Sequence, residues 1–298
     1  MMDATQILQS VVTGLGVGLI YGLVGIGFCV IYNASGIVNF AQGVFVMLGG
    51  MFCHTILSRL GVPLFVAALL TVPLVALVGV LIEIFVVRPM WNRGAALFAI
   101  ILATLATQIM IERITIMTLG DQSRSYGEFT DGGPLKIGGI AVSYQYFWIM
   151  GCGAALVGLL WLFFTRTRAG RALRACSQNR EAAALLGIPV HRMLMLSFAL
   201  SAALGAVAGI LVTPTQFTAF NVGTPFGVNG FIAAIIGGFG NAAGALAGGI
   251  LLGVLQALAI VMFGAGFKNV AALTVLLLVL FLFPSGIFAG FKGLGRKG

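Results

Sequence analysis

The chain has 298 residues, of which 60% are hydrophobic and only 8% charged, and its mean hydropathy is +1.12. Soluble domains carry roughly 25% charged residues, so this composition excludes a soluble fold and indicates an all-α polytopic membrane protein with a single membrane domain. The net charge of +9 is not a nucleic-acid signature, because the cations sit in short loops, as the positive-inside rule requires.

Apolar runs of spanning length cover residues 7–31, 63–87, 95–117, 145–164, 193–213, 242–263 and 271–290. Each reaches the roughly 20 residues needed to cross the hydrocarbon core. Two further segments are ambiguous. Residues 36–57 begin polar and turn apolar, and residues 228–240 are too short for a full span. The expected total is about 8–9 transmembrane helices, some broken or short. The first ten residues carry Asp3 and no Lys or Arg, so no cleavable signal peptide is expected.

Loop charge sets the orientation. Residues 166–192 hold six arginines and one glutamate, residues 88–94 hold Arg88 and Arg93, and the tail holds Lys292, Arg296 and Lys297. These regions are expected on the cytoplasmic side. The loop at 118–144 mixes Asp121, Glu128 and Asp131 with Arg124 and Lys136, and fits the outside. If 36–57 and 228–240 both cross, the N-terminus is external and the C-terminus cytoplasmic.

Glycines recur at four-residue spacing: Gly14, Gly18 and Gly22, then Gly205 and Gly209 after Ser201, then Gly240, Gly244 and Gly248. This spacing puts small residues on one helix face and lets backbones approach closely. Cys29, Cys53, Cys152 and Cys176 are scattered and read as free thiols. No His, Cys, Asp or Glu cluster suggests a metal, and no Ser/His/Asp or Cys/His arrangement suggests catalysis. None of the four lysines lies in a phosphate-binding glycine loop, so the chain has no ATPase site of that kind. Gly238 to Gly244 imitates a dinucleotide fingerprint, with one residue too many and no strand before it.

Polar residues inside spans are costly and therefore candidate sites. Asn39 and Gln42 lie three apart, on one face if helical, and a half-helix starting there would point free N–H groups into the membrane. Helix capping explains the same pair equally well. Gln108 and Glu112 form an i, i+4 pair; Gln108 is a pathway candidate, while Glu112 is placed nearer the outer interface. Glu83 reads as an ion-pair partner of Arg88. Asn229 and Asn241 bracket a short apolar segment and look like caps of a broken helix, the kind of element that lines transporter sites.

The positive-inside rule alone explains the arginines of the loop at 166–192, but an orientation signal needs no folded helix, and this loop carries capping residues at both ends of one. Asn179 caps a short helix over 180–186, Glu181 favours its dipole, Gly187 fits the position after its end and Pro189 follows. Upstream, Arg168, Arg171 and Arg174 form one basic stripe.

Glu181 to Ile188 (EAAALLGI) resembles the coupling loop of ABC-transporter permeases. Gly170 to Asn179 (GRALRACSQN), Tyr32 to Gly43 (YNASGIVNFAQG) and Ile235 to Gly249 (IIGGFGNAAGALAGG) resemble regions of the branched-chain amino acid permeases of LivH type. The resemblance covers nearly the whole chain. It implies a permease subunit of an ATP-driven importer for branched-chain or other hydrophobic or neutral amino acids, in a bacterial inner membrane. The partners it implies are a homologous second permease subunit, two ATPase subunits that hold the ATP, and a periplasmic substrate-binding protein. The coupling residues it implies are Arg171, Arg174, Asn179, Glu181, Ala182, Ala183 and Gly187, and the chain binds no cofactor of its own. The family often has His where Gln42 stands, so relatives that import urea, short amides or aromatic acids are the alternative within the family. An ion-coupled secondary transporter is the alternative outside it; only Glu83 and Glu112 could then carry a proton.

Overall fold

A computed structural model describes residues 4–130, 132–137 and 140–288. Asp131, Gly138, Gly139, Lys292, Arg296 and Lys297 lie outside the described residues. The elements are α1 (Ala4–Ser35), α2 (Gln42–Leu60), α3 (Leu64–Ile82), a π-helical turn (Glu83–Val87), α4 (Arg88–Asn92) and α5 (Leu97–Leu119). A hairpin of β1 (Leu135–Ile137) and β2 (Ile140–Val142) follows. Then come α6 (Tyr144–Arg166), α7 (Arg168–Gln178), α8 (Arg180–Leu185), α9 (Val190–Gln216), α10 (Gly223–Gly237), α11 (Ala242–Phe263) and α12 (Phe267–Leu282). Seven helices are long and apolar enough to cross a membrane, and α10 and α12 are shorter apolar helices.

The bundle has two ends. One, the basic face, carries α7 and α8. The other, the hairpin face, carries the 118–144 segment. α1 starts at the hairpin face, where Gln9 Nε2 donates to the Ala141 carbonyl at 3.3 Å. It stops at the basic face at Gly36, whose φ of +64° only glycine adopts freely. The chain then turns back into the bundle, and the Phe40 N–H donates to Thr104 Oγ1 at 3.1 Å. From there α2 runs to the hairpin face, where Cys53 packs with Tyr126. The segment 36–57 therefore crosses, by re-entering from the basic face.

The second ambiguous segment mirrors it. Thr218 pairs with Arg124 at the hairpin face. The chain re-enters, and α10 begins at Gly223, where an added Cβ would lie 2.9 Å from the Gly43 carbonyl. α10 ends beside Asn33 at the basic face, where Asn33 Nδ2 donates to the Gly240 carbonyl at 2.8 Å. The helix thus starts ahead of the expected residue 228, at depth, and Pro225 in its first turn costs no hydrogen bond there. Two half-helices, α2 and α10, meet at their N-termini and run to opposite faces.

The last span is displaced from the expected 271–290. α12 ends at Leu282 because Pro284 cannot continue the helix. The chain then folds back, and the Ile287 N–H donates to the Ile236 carbonyl at 2.8 Å. The start of α1 and residue 287 lie on opposite faces.

The glycine stripes hold the bundle together. Gly14, Gly18 and Gly22 face Gly253, Gly249 and Leu246 in order, and a Cβ on Gly18 would lie 2.7 Å from the Gly249 carbonyl. Gly205 and Gly209 face Phe45 and Val46 of α2, and Gly248 faces the Ala233 carbonyl. Gly240 is not part of a helix stripe; it turns the chain into α11 with φ +89°.

Candidate functional site

The basic loop folds as two capped helices. Thr167 Oγ1 accepts from the Gly170 N–H at 2.9 Å and starts α7. Gly170 is required there because a Cβ would collide with the Phe163 carbonyl. Arg174 donates to the Phe164 carbonyl at 2.6 Å, satisfying the end of α6. Asn179 Oδ1 accepts from the Ala182 N–H at 3.0 Å and starts α8. The helix ends with the Gly187 N–H on the Ala184 carbonyl and the Ile188 N–H on the Ala183 carbonyl, with Gly187 at φ +81°. This is the double-bonded glycine stop that satisfies the last carbonyls. Ala183 is buried, whereas Glu181, Ala182, Arg171 and Arg174 are exposed. Leu185 and Leu186 are 89% and 81% exposed, an apolar tip on a helix that buries Ala183 against the bundle and leaves its other face free.

The loop reaches the re-entrant segment directly. The Arg180 guanidinium stacks over Trp91 of α4, 4.8 Å from the ring centroid. A Cβ on Gly36 would lie 2.7 Å from Arg180 Nη2, so this arginine bridges α4 and the α1–α2 link. Burial lowers the Arg180 pKa and raises that of the neighbouring Cys176 thiol. Above α4, buried Glu83 accepts from Arg88 Nε at 3.0 Å and from Nη2 at 2.6 Å. That is the ion pair expected from sequence, held in a π-helical turn that was not.

Asn39 and Gln42 lie inside the chain's own fold. Asn39 Oδ1 accepts from the Ala41 N–H at 3.1 Å, while its buried Nδ2 has no partner among the described residues. Such a donor costs about 1–3 kcal/mol. Gln42 is fully buried. Its Oε1 accepts from Ser201 Oγ at 2.5 Å and its Nε2 donates to the Ser201 carbonyl at 3.3 Å. The pair ties the start of α2 to α9, and Gly27 leaves the space for it, since a Cβ there would lie 2.8 Å from Ser201 Oγ.

Gln108 is at the midpoint of α5. Its Nε2 donates to Thr224 Oγ1 at 2.7 Å and to Glu112 Oε1 at 3.2 Å. Thr224 Oγ1 donates to the same Glu112 oxygen at 2.9 Å. Thr104, Gln108 and Glu112 follow at four-residue spacing, so α5 turns one polar stripe toward the starts of α2 and α10. Glu112 is one helical turn from mid-span, not at the interface as the sequence placed it. Thr224 completes this cluster and sequence reasoning missed it; Pro225 was the available signal for a helix start.

Asn229 is not a cap. It lies inside α10, donates to the Pro225 carbonyl at 2.8 Å and accepts from Gln256 Nε2 at 2.7 Å. Asn241 precedes α11 without a side-chain capping bond. It lines a cavity of about 370 Å³ at the basic face together with Arg174, Gly240 and Trp161. The five polar candidates thus occupy four places: Asn39 and Gln42 at the start of α2, Gln108 against α10, Asn229 inside α10 against Gln256 of α11, and Asn241 before α11 at the basic face.

The opposite loop is folded onto α9. Tyr126 donates to the Ile210 carbonyl at 2.9 Å, the carbonyl that Pro214 leaves unpaired by lacking an N–H. Burial pushes the Tyr126 hydroxyl well above its ordinary pKa. Gln145 Nε2 donates to the Leu211 carbonyl at 2.7 Å.

Residues 10–284 match the family described as branched-chain amino acid transport system, permease component. The chain is 32% identical to the high-affinity branched-chain amino acid transport permease BraD of Pseudomonas aeruginosa, covering 96% of this chain and 97% of that one. It is 32% identical to the corresponding permease LivH of Escherichia coli, with 94% of each chain covered. Among solved structures it is similar to PsaBC from Streptococcus pneumoniae in complex with Fab. The TM-score is 0.50 at 17% identity, over 96% of this chain and 94% of that chain, a likeness of fold alone.

Proposed function

The chain belongs to the family of permease components of branched-chain amino acid transport systems, and we propose that it forms one half of the path through an ATP-driven importer of branched-chain or similar neutral amino acids. A homologous permease subunit supplies the other half, two ATPase subunits bind and hydrolyse ATP, and a periplasmic binding protein delivers substrate. The basic face is cytoplasmic and the hairpin face external, in a bacterial inner membrane; the arginines of 166–192 support this orientation.

The observation that carries the reading is the loop itself. An orientation signal needs only charge, but this loop is folded, capped at both helices and tipped by two exposed leucines. That is a docking element for a soluble partner. Through Arg180 it touches the link that leads to the start of α2, so motion of the ATPases reaches mid-membrane within a few residues. Glu83 is committed to two bonds from Arg88, and no relative favours ion-coupled transport.

The test is copurification. A tagged chain should retain the ATPase subunit in mild detergent. Leu185→Asp with Leu186→Asp should remove it while the second permease subunit stays bound. Full retention of the ATPase by that variant would refute the docking role.

A further inference from the structure

Glu112 poses a problem that the importer reading alone does not answer. It stands one turn from the middle of a 23-residue apolar helix, half-buried on the chain's own surface. Among the described residues the ion pair formed is Glu83–Arg88, and Glu112 has no cation within salt-bridge distance. A carboxyl group at this depth is costly against lipid and is accommodated against a partner or a water-filled path. Its neighbours are polar in a directional way. Gln108 and Thr224 both donate to Oε1, which fixes the carboxylate and commits one oxygen. Thr104 extends the same stripe toward the basic face and bonds Phe40, beside the unpartnered amide of Asn39. The stripe therefore joins the starts of both half-helices, the two places where backbone re-enters the membrane.

We propose that Glu112, held by Gln108 and Thr224, binds the ammonium group of the amino acid as it passes through the permease. The inference rests on the importer reading above. A zwitterion leaving water must have its cationic end compensated. A fixed, otherwise unpaired carboxylate in the path supplies that compensation, and a hydrogen bond to a charged partner is the stronger kind. Apolar side chains of the substrate meet the exposed aliphatic surface of α5 around it, including Leu105 and Ile109.

The experiment uses the complete transporter in proteoliposomes, with leucine-loaded binding protein at saturation. It reads leucine taken up per ATP hydrolysed, a ratio independent of how much complex assembles. Glu112→Gln keeps the shape and an oxygen that accepts from Gln108 and Thr224 but carries no carboxylate. Its ratio should fall by about tenfold, the loss of one charge-assisted contact. Glu112→Asp should stay near the wild-type ratio. An unchanged ratio in Glu112→Gln, or an equal fall in uptake and ATPase activity, overturns the subsite and leaves the importer reading standing. A wild-type complex with no ATP-driven leucine uptake overturns both.

Discussion

Replacing Gln42 with leucine tests whether the start of α2 is anchored to α9 or lies free in the path. Gln42 is fully buried and makes two bonds to one residue, accepting from Ser201 Oγ and donating to the Ser201 carbonyl. Gln42→Leu strands the serine hydroxyl in an apolar interior. An orphaned buried donor costs about 1–3 kcal/mol, and interhelical bonds in membrane proteins average about 0.6 with a ceiling of about 1.7. The expected loss is therefore about 1–2 kcal/mol, or roughly 5–30-fold in the folded-to-unfolded ratio. Ser201→Ala alone strands Gln42 Oε1, while Nε2 keeps its bond to the residue 201 carbonyl, and should cost a similar amount. The two changes together replace both partners by apolar groups, which is close to neutral. Detergent-induced unfolding of the purified complex measures the cycle. A coupling energy of about 2–4 kcal/mol, the sum of the two single losses, is the predicted result. Strictly additive losses would show that the pair does not hold the helices together, and the anchoring argument would fail.

Three further outcomes are expected. Asn179→Ala should destabilise α8 by about 1 kcal/mol through its lost cap, and Gly187→Ala by about 1–2 kcal/mol through its left-handed backbone; hydrogen exchange of the Ala182–Gly187 amides reads both, and protection at wild-type levels would refute the caps. Gly18→Ala drives a methyl into the Gly249 carbonyl and should lower thermal stability by about 1–3 kcal/mol, whereas Gly151→Ala, with nothing within 4 Å, should not; equal effects would sink the seam. Exposed Ser123→Cys should react with an impermeant maleimide from outside and exposed Ser177→Cys only from inside, while native Cys176 stays slow at neutral pH. Burial raises its pKa, so the neutral thiol persists to higher pH and labelling should rise as pH rises; the reversed sidedness would overturn the orientation.

What sequence made legible was local. Asn179, Gly187 and Pro189 announce α8 because capping acts over three or four residues. The glycine stripes announce close packing because helical periodicity is local too. What it could not show was pairing across the chain. Gln42 and Ser201 are 159 positions apart, and Ser201 read only as one small residue in a stripe. Thr224 was invisible because the apolar run starts after it, and the re-entry at 217–222 is a short stretch broken by Thr218 and Asn221 with no helical period. Asn229 misled for the opposite reason. An asparagine at the edge of an apolar run resembles a cap, but here Gln256 on another helix satisfies it within α10. The π-helical turn at Glu83 left no trace beyond the nearby arginine.

In the proposed importer, ATP acts through the 166–192 loop to drive an amino acid through this chain and its partner. The most direct measurement is leucine uptake into proteoliposomes bearing the assembled transporter and its binding protein, with ATP or with an imposed ion gradient. Uptake should require ATP and ignore ionophores. In Glu181→Lys with Gly187→Pro it should collapse while the complex stays in the membrane and still hydrolyses ATP. Uptake that persists without ATP and vanishes when the ion gradient is dissipated, or that survives the loop variant unchanged, would contradict the account.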